Sequence, residues 1–323
     1  MSPIEVRNLR KTYGDTVAVS DLSFAVEEGE IFGFLGPNGA GKTTTIRSLM
    51  GFQSPTGGGA TVLGADVSDE SELVGVKGRI GYLPANPAFD EDVTGRAFLH
   101  HQADLKGDER RDELLELFSP PLDRKIRAYS SGNRQMLGLV SAFMHDPDLV
   151  ILDEPTSGLD PLKQERFNEF LRSERERGTT VFFSSHILGE VRRVCDRVGV
   201  LRDGELAAVE NVSDLLARSG KRVRIQTGSA LDPADVSVPG AADIESLGDG
   251  VRFTFTGEYD ALLSWLAGLE VIDVDIEEPP LEDVFIHFYG DERTEIDEVE
   301  GNGAGTDEAE TETEAGPEAD ADA

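Results

Sequence analysis

The chain has 323 residues, 38% of them hydrophobic, which leaves room for a large core and for two domains. Sixty-three acidic residues against 30 basic ones give a net charge of −33, which repels nucleic acid backbones and argues against a nucleic acid partner. Only seven of the basic residues are lysines, and an acidic, lysine-poor surface resembles that of proteins from salt-loving microbes, kept soluble by net charge where molar salt screens repulsion.

No basic stretch leading into an apolar one opens the chain, so secretion is not expected. Residues 31–35, IFGFL, read as a short apolar strand feeding a glycine turn and a helix. The longest uncharged run, residues 48–65, is broken by Pro55 and five glycines, whereas a membrane span needs about 20 mostly apolar residues. Helical patterning dominates residues 86–145 and predicts a helical insertion. Strands follow at 149–152 and 181–184; like the first, they lack strict alternation, as strands covered on both faces do. The single cysteine, Cys195, excludes an internal disulfide, fits a reducing compartment and reads as a small buried residue. Residues 197–209, RVGVLRDGELAAV, carry a central Asp203-Gly204 and read as a hairpin.

Beyond about residue 219 the pattern changes. Val251, Phe253 and Phe255 alternate with polar residues, as do Ile272, Val274 and Ile276, and between them Tyr259, Leu262, Leu263 and Leu266 fall at helical spacing. The expected organisation is an α/β domain over residues 1–218 with a helical subdomain at about 86–145, then a small accessory α+β domain over 219–290 with a half-exposed sheet. Residues 291–323, with 14 acids and one base, are expected to be a disordered tail.

Chemistry concentrates in two stretches of the first domain. GPNGAGKTT (Gly36, Pro37, Asn38, Gly39, Ala40, Gly41, Lys42, Thr43 and Thr44) follows a strand and opens a helix, the context in which G-x-x-x-x-G-K-[ST] cradles a nucleoside triphosphate. Glycines let successive NH groups converge on phosphate oxygens at the positive end of a helix. Lys42 is expected on the β- and γ-phosphates and Thr43 on Mg2+. Downstream, DLVILDEPTSGLD delivers Asp153 and Glu154 to the carboxyl edge of the sheet, where ligands bind. Asp153 is assigned to the metal and Glu154 to the general base.

The order of motifs resembles the ATP-binding subunit of ABC transporters over about residues 3–209. The resemblance implies a P-loop ABC ATPase core with a helical subdomain, using ATP and Mg2+. Tyr13, 29 residues before Lys42, matches the aromatic that stacks on adenine. YSSGNRQ sits at the signature position, with Gly132 21 residues before Asp153. Residues 157–160, SGLD, match the D-loop ending in Asp160, and His186 matches the switch histidine on the γ-phosphate. The ending LEDVFIHFYG, residues 281–290, is similar to that of subunits serving ABC-2 exporters. Read by itself, Ser130 or Ser131 is a helix cap, with Met136, Leu137, Val140, Phe143 and Met144 as the buried face. Within the resemblance, Ser130, Ser131 and Gly132 also bind the ATP of a second subunit.

Two departures matter. Ala85 falls where the family has its Q-loop glutamine, so either the neighbouring Asn86 substitutes towards the metal or that contact is missing. The signature has Ser131 and Asn133 for the usual Gly and Gln, and keeps Ser130 and Gly132. Other candidates stay structural: His100, His101, His145 and His287 lack zinc spacing, and Arg192, Arg193 and Arg197 fit a solvated helix face. The implied function is ATP hydrolysis powering transport, in an export direction, through a separately encoded membrane permease. The subunit is expected as a homodimer at the cytoplasmic face of the membrane; the rival is a soluble or regulatory ABC ATPase, disfavoured by one phosphate loop per chain and the acidic charge.

Overall fold

The computed structural model describes residues 2–214, 220–228, 231–248 and 250–277. Strands β1 (Ile4–Tyr13), β2 (Thr16–Val26), β4 (Gly57–Val62) and β5 (Ala65–Asp66) form an antiparallel sheet in the order β2-β1-β4-β5. A second sheet, β10-β9-β3-β8-β7-β6, contains β3 (Ile31–Leu35), β6 (Ile80–Leu83), β7 (Leu149–Asp153), β8 (Thr180–Ser185), β9 (Arg197–Arg202) and β10 (Glu205–Asn211). Its strands run parallel except β10, which returns antiparallel to β9 across Asp203 and Gly204, the hairpin read from the sequence. The antiparallel sheet escapes the patterning because register shifts along the β1–β2 pair break the period of two.

Helix α1 (Lys42–Leu49) carries the fully buried Ile46 and Leu49 into one core with Val6, Leu22 and Phe24 of the antiparallel sheet and Phe32, Phe34 and Phe182 of the parallel one. Phe24 stacks on Phe32, ring centroids 5.5 Å apart and planes nearly parallel. This core anchors both ends of the glycine turn between β3 and α1. After α2 (Glu70–Lys77), the insertion consists of α3 (Gly95–Lys106), α4 (Arg111–Phe118) and α5 (Ser131–Phe143). Met136, Leu137, Val140, Phe143 and Met144 are all buried. Helices α6 (Pro161–Arg177) and α7 (Leu188–Val194) complete the α/β part.

Strands β11 (Lys221–Thr227), β12 (Ala241–Ser246), β13 (Gly250–Phe255) and β14 (Val271–Glu277) form an antiparallel sheet, β12-β13-β11-β14. Helix α8 (Tyr259–Leu266) places Leu262 and Leu266 against Val223, Ile225, Val251, Phe253 and Phe255, a core separate from the first. On β14 the alternation is present, but Ile272, Val274 and Ile276 stay exposed.

Arg197 corrects the sequence reading. It is no part of a helix face: it opens β9, its Nη1 lies 3.1 Å from Glu30 Oε1, and its guanidinium covers the ring of Phe32 at 5.6 Å. Its spacing from Arg192 and Arg193 looks helical, but α7 ends at Val194. No helix among the described residues is long and apolar enough to cross a membrane. The ending 281–290 with His287, and the tail 291–323, lie outside the described residues.

Candidate active site

The loop from Gly36 to Gly41 is wedged between the two sheets. A Cβ on Gly36 would stand 2.4 Å from the Leu201 carbonyl oxygen, and one on Gly41 2.6 Å from that of Ala18. Gly41 also has φ +103°, which an L side chain rarely adopts. Gly204 NH donates to Ala40 O at 3.1 Å, so the β9–β10 turn braces the loop from outside. Lys42 is only 5% exposed, and its Nζ donates to Gly36 O at 2.6 Å and Pro37 O at 3.2 Å, 3.5 Å from Glu154 Oε1. A buried ammonium held by two neutral carbonyls and one acid suits an incoming polyanion.

The acids assemble next to it. Asp153, buried at the end of β7, accepts from Thr43 Oγ1 at 3.0 Å and from Ser184 Oγ at 2.6 Å. One hydroxyl and one carboxylate, both oxygen donors, match a hard cation such as Mg2+. Glu154 has φ +50°, a left-handed conformation costing a non-glycine residue about 1 kcal/mol, and its NH donates to Ser184 O at 3.1 Å. Its carboxylate is clamped: Oε1 faces Lys42, and Oε2 lies 3.0 Å from His186 Nδ1. That contact is a hydrogen bond when Nδ1 carries the proton. Burial and the Asp153 charge push the Tyr82 hydroxyl up to about 12, leaving it neutral beside the acids.

The signature stretch reaches the acids through its own chain. Ser130 caps α5, accepting from Asn133 NH at 3.3 Å, as the helix-cap reading requires. A Cβ on Gly132 would meet Gly158 O at 2.7 Å, and one on Gly158, φ +75°, would lie 2.9 Å from Ser131 Oγ. Gly132 therefore serves a close approach to the D-loop of its own chain. Gln135 Nε2 donates to Pro155 O at 2.9 Å and to Glu154 O at 3.4 Å. Gln135, Ser184 and Gly158 escaped sequence reasoning; the only signal was that each stands within or beside a motif.

Other expected residues stand apart. Tyr13, 48% exposed, ends β1 with its hydroxyl on Gln53 and Lys11 5.2 Å over its ring. Asp160 is exposed and caps α6; the Lys163 backbone NH, then its ammonium, hold the carboxyl below its ordinary range. Asn86 is exposed and Ala85 half-buried in the loop after β6. His100 and His101 are exposed on α3. His145 is 7% exposed and neither ring nitrogen has a partner among the described residues; the nearby Ile80 carbonyl is taken by Lys106 Nζ at 2.8 Å. Burial pushes His145 down to about 4. Among the described residues, no three His, Cys, Asp or Glu side chains are grouped so as to hold a metal ion. Cys195 is buried, its thiol raised by burial.

A family model described as "ABC transporter" matches residues 19–157. The bacitracin transport ATP-binding protein BcrA of Bacillus licheniformis is 34% identical across 89% of this chain and 97% of its own length. The daunorubicin resistance ATP-binding protein DrrA3 of Streptomyces coeruleorubidus is 35% identical across 90% and 96%. Among solved structures, one titled as the ATP binding subunit of an ABC transporter superposes with a TM-score of 0.61 at 30% identity, covering 67% of this chain and 93% of that one.

Proposed function

We propose, for a chain that belongs to the ABC transporter family of ATP-binding proteins, that a head-to-tail pair of copies drives export through a separate membrane permease. Family membership makes it an ATP-binding, ATP-hydrolysing transport subunit. The observation carrying the reading of the site is Glu154, held between Lys42 and His186 beside an Asp153 already bonded to Thr43.

Residues 36–44 and Lys42 bind the triphosphate, and the exposed Tyr13 stacks on the adenine. Mg2+, held by Thr43 and Asp153, would neutralise charge on the phosphate oxygens. Glu154 takes the proton of the attacking water, a role worth about 10² to 10⁴ in rate. Lys42 and His186 orient its two oxygens, and Ser184 keeps Asp153 in line. In the closed pair, Ser130, Ser131 and Gly132 of one copy cover the nucleotide on the other, with Asp160 at the same seam. Hydrolysis splits the γ-phosphate from ADP, its release removes the contacts that hold the pair shut, and the opening moves the permease.

Supporting the membrane partner is the exposed Phe52, whose ring lies 5.5 Å from that of Tyr82 and 5.9 Å from Lys77 Nζ at the end of α2, the helix on which Val74 is exposed. Such a partner places the chain peripherally, on the cytoplasmic face. Relatives named for bacitracin transport, Nod factor export and daunorubicin resistance support the export direction. The separate core of residues 220–277 supports the division near residue 218 into ATPase and accessory domain. The test is affinity purification from a detergent extract together with ATPase assays of Glu154→Gln. Co-elution of a polytopic membrane protein, and loss of turnover with ATP still bound, are expected. Ribosomes or DNA in place of a membrane protein would sink the transport reading; full turnover in Glu154→Gln would sink the site.

A further inference from the structure

We propose that Glu190 is a positioning residue that braces the D-loop to the switch histidine, so that the two move as one body. The proposal rests on the reading of the site above. Glu190 lies in the first turn of α7, four residues after His186, and is only 9% exposed. Thr156 Oγ1 donates to its Oε1 at 2.5 Å and Ser185 Oγ to its Oε2 at 2.6 Å. Ile187 NH in turn donates to Ser185 Oγ at 2.9 Å. One carboxylate thus fixes both neighbours of His186, directly and through Ser185, and the residue that precedes Ser157 and Gly158.

An acid in the first turn of a helix is ordinarily explained by the free NH groups of that helix. Glu190 spends its oxygens otherwise, on hydroxyls from the loop after β7 and from the last residue of β8, and bonds from hydroxyl to carboxylate are the strong kind. A pocket of about 210 Å3, with Glu154, Ser157, Gln164 and His186 in its wall, adjoins the brace, so packing alone does not lock these loops together. At the other end, Gly158 is seated under Ser131 and Gly132. Displacement of the α5 N-terminus on closure is therefore passed through Gly158, Thr156, Glu190 and Ser185 to His186, and from there to Glu154.

The test uses the full chain with Glu190→Ala, Glu190→Gln, Thr156→Val and the Thr156→Val/Glu190→Ala pair, measuring ATP affinity, kcat, KM and the melting temperature. Losing the two hydroxyl bonds is expected to lower kcat about 10- to 100-fold, with ATP affinity within about twofold. Glu190→Gln, which still accepts one hydroxyl, should recover part of the loss, and the double variant should be no worse than Glu190→Ala. Unchanged kcat in a folded Glu190 variant overturns the brace. So does a parallel loss of kcat, affinity and melting temperature, or effects of Thr156 and Glu190 that multiply. Should Glu190→Ala not fold, Glu190→Gln and Thr156→Val carry the same comparison. Glu154→Gln and His186→Ala run alongside: if these keep turnover, the reading of the site fails and the brace with it, whereas normal Glu190 variants beside inactive controls remove the brace alone.

Discussion

Arg110 at the start of α4 and Glu174 on α6 form a buried clasp between the helical insertion and the α/β core. Arg110 Nη1 and Nη2 reach Glu174 Oε2 and Oε1 at 2.7 and 2.6 Å, with the two side chains 6% and 0% exposed. Replacing Arg110 by Met leaves Glu174 with the Thr179 hydroxyl at 3.3 Å and Arg177 Nε at 3.8 Å, and an uncompensated buried charge costs about 3 to 5 kcal/mol. Replacing Glu174 by Met is milder, about 2 kcal/mol, because Arg110 keeps Glu113 at 2.7 Å and Asp146 at 3.5 Å, both open to water. The double variant removes both charges and should return to within about 1 kcal/mol of the parent. Urea unfolding of the four proteins reads this directly, as midpoints at constant slope. Repeating it in molar KCl should leave the differences in place, since a buried pair is screened little. A double variant that loses the sum of the two single losses would refute the reasoning, because the residues would then act independently.

Gly132→Ala sets a methyl 2.7 Å from a backbone oxygen and should cost about 1 to 3 kcal/mol with a loss of turnover, while ATP binding to the single chain persists; wild-type melting and activity would contradict the contact with Gly158. Ala85→Gln should raise the hydrolysis rate, measured as phosphate release, by supplying the missing amide; an unchanged rate counts against that role for the loop after β6. His145 has a folded-state pKa, about 4, below its ordinary 6.5, so the unfolded chain binds more protons between these values and stability falls as the pH drops through them. The parent should therefore lose about 2 kcal/mol more than His145→Leu between pH 7 and pH 5 in urea titrations; parallel curves would remove the burial argument.

The legible parts of the fold were those where one physical signal dominates. The runs at 31–35, 149–152 and 181–184 are apolar on both faces because both are covered, one of them by the antiparallel sheet and α1, and they are strands β3, β7 and β8. Asp203-Gly204 closes the β9–β10 hairpin with both residues at positive φ, and on α5 the residues picked by spacing are buried, although Gln135, Gly138, Leu139 and Ala142 between them are buried as well. The bulged β1–β2 pair was not legible, since each register shift flips the face on which the next apolar residue falls. Nor was Arg197, whose helical spacing from Arg193 is an accident of a helix end three residues earlier.

Within the site, the groups present can be named from sequence: a glycine loop with Lys42, two acids after a strand, a histidine after another, and a serine cap ahead of an apolar helix. These are local facts, because a loop backbone, a strand end and a helix cap are each specified within a few residues. Their partners are set by packing between distant segments. That Glu154 stands between Lys42 and His186 and that Ser184 joins Thr43 on Asp153 follow from strands β3, β8 and β7 lying side by side in one sheet, while the approach of Gly132 to Gly158 comes from the seating of α5 against the loop after β7. Parallel pairing brings their carboxyl ends to one edge although Lys42, Glu154 and His186 are far apart along the chain, and spacing in sequence holds no record of that pairing.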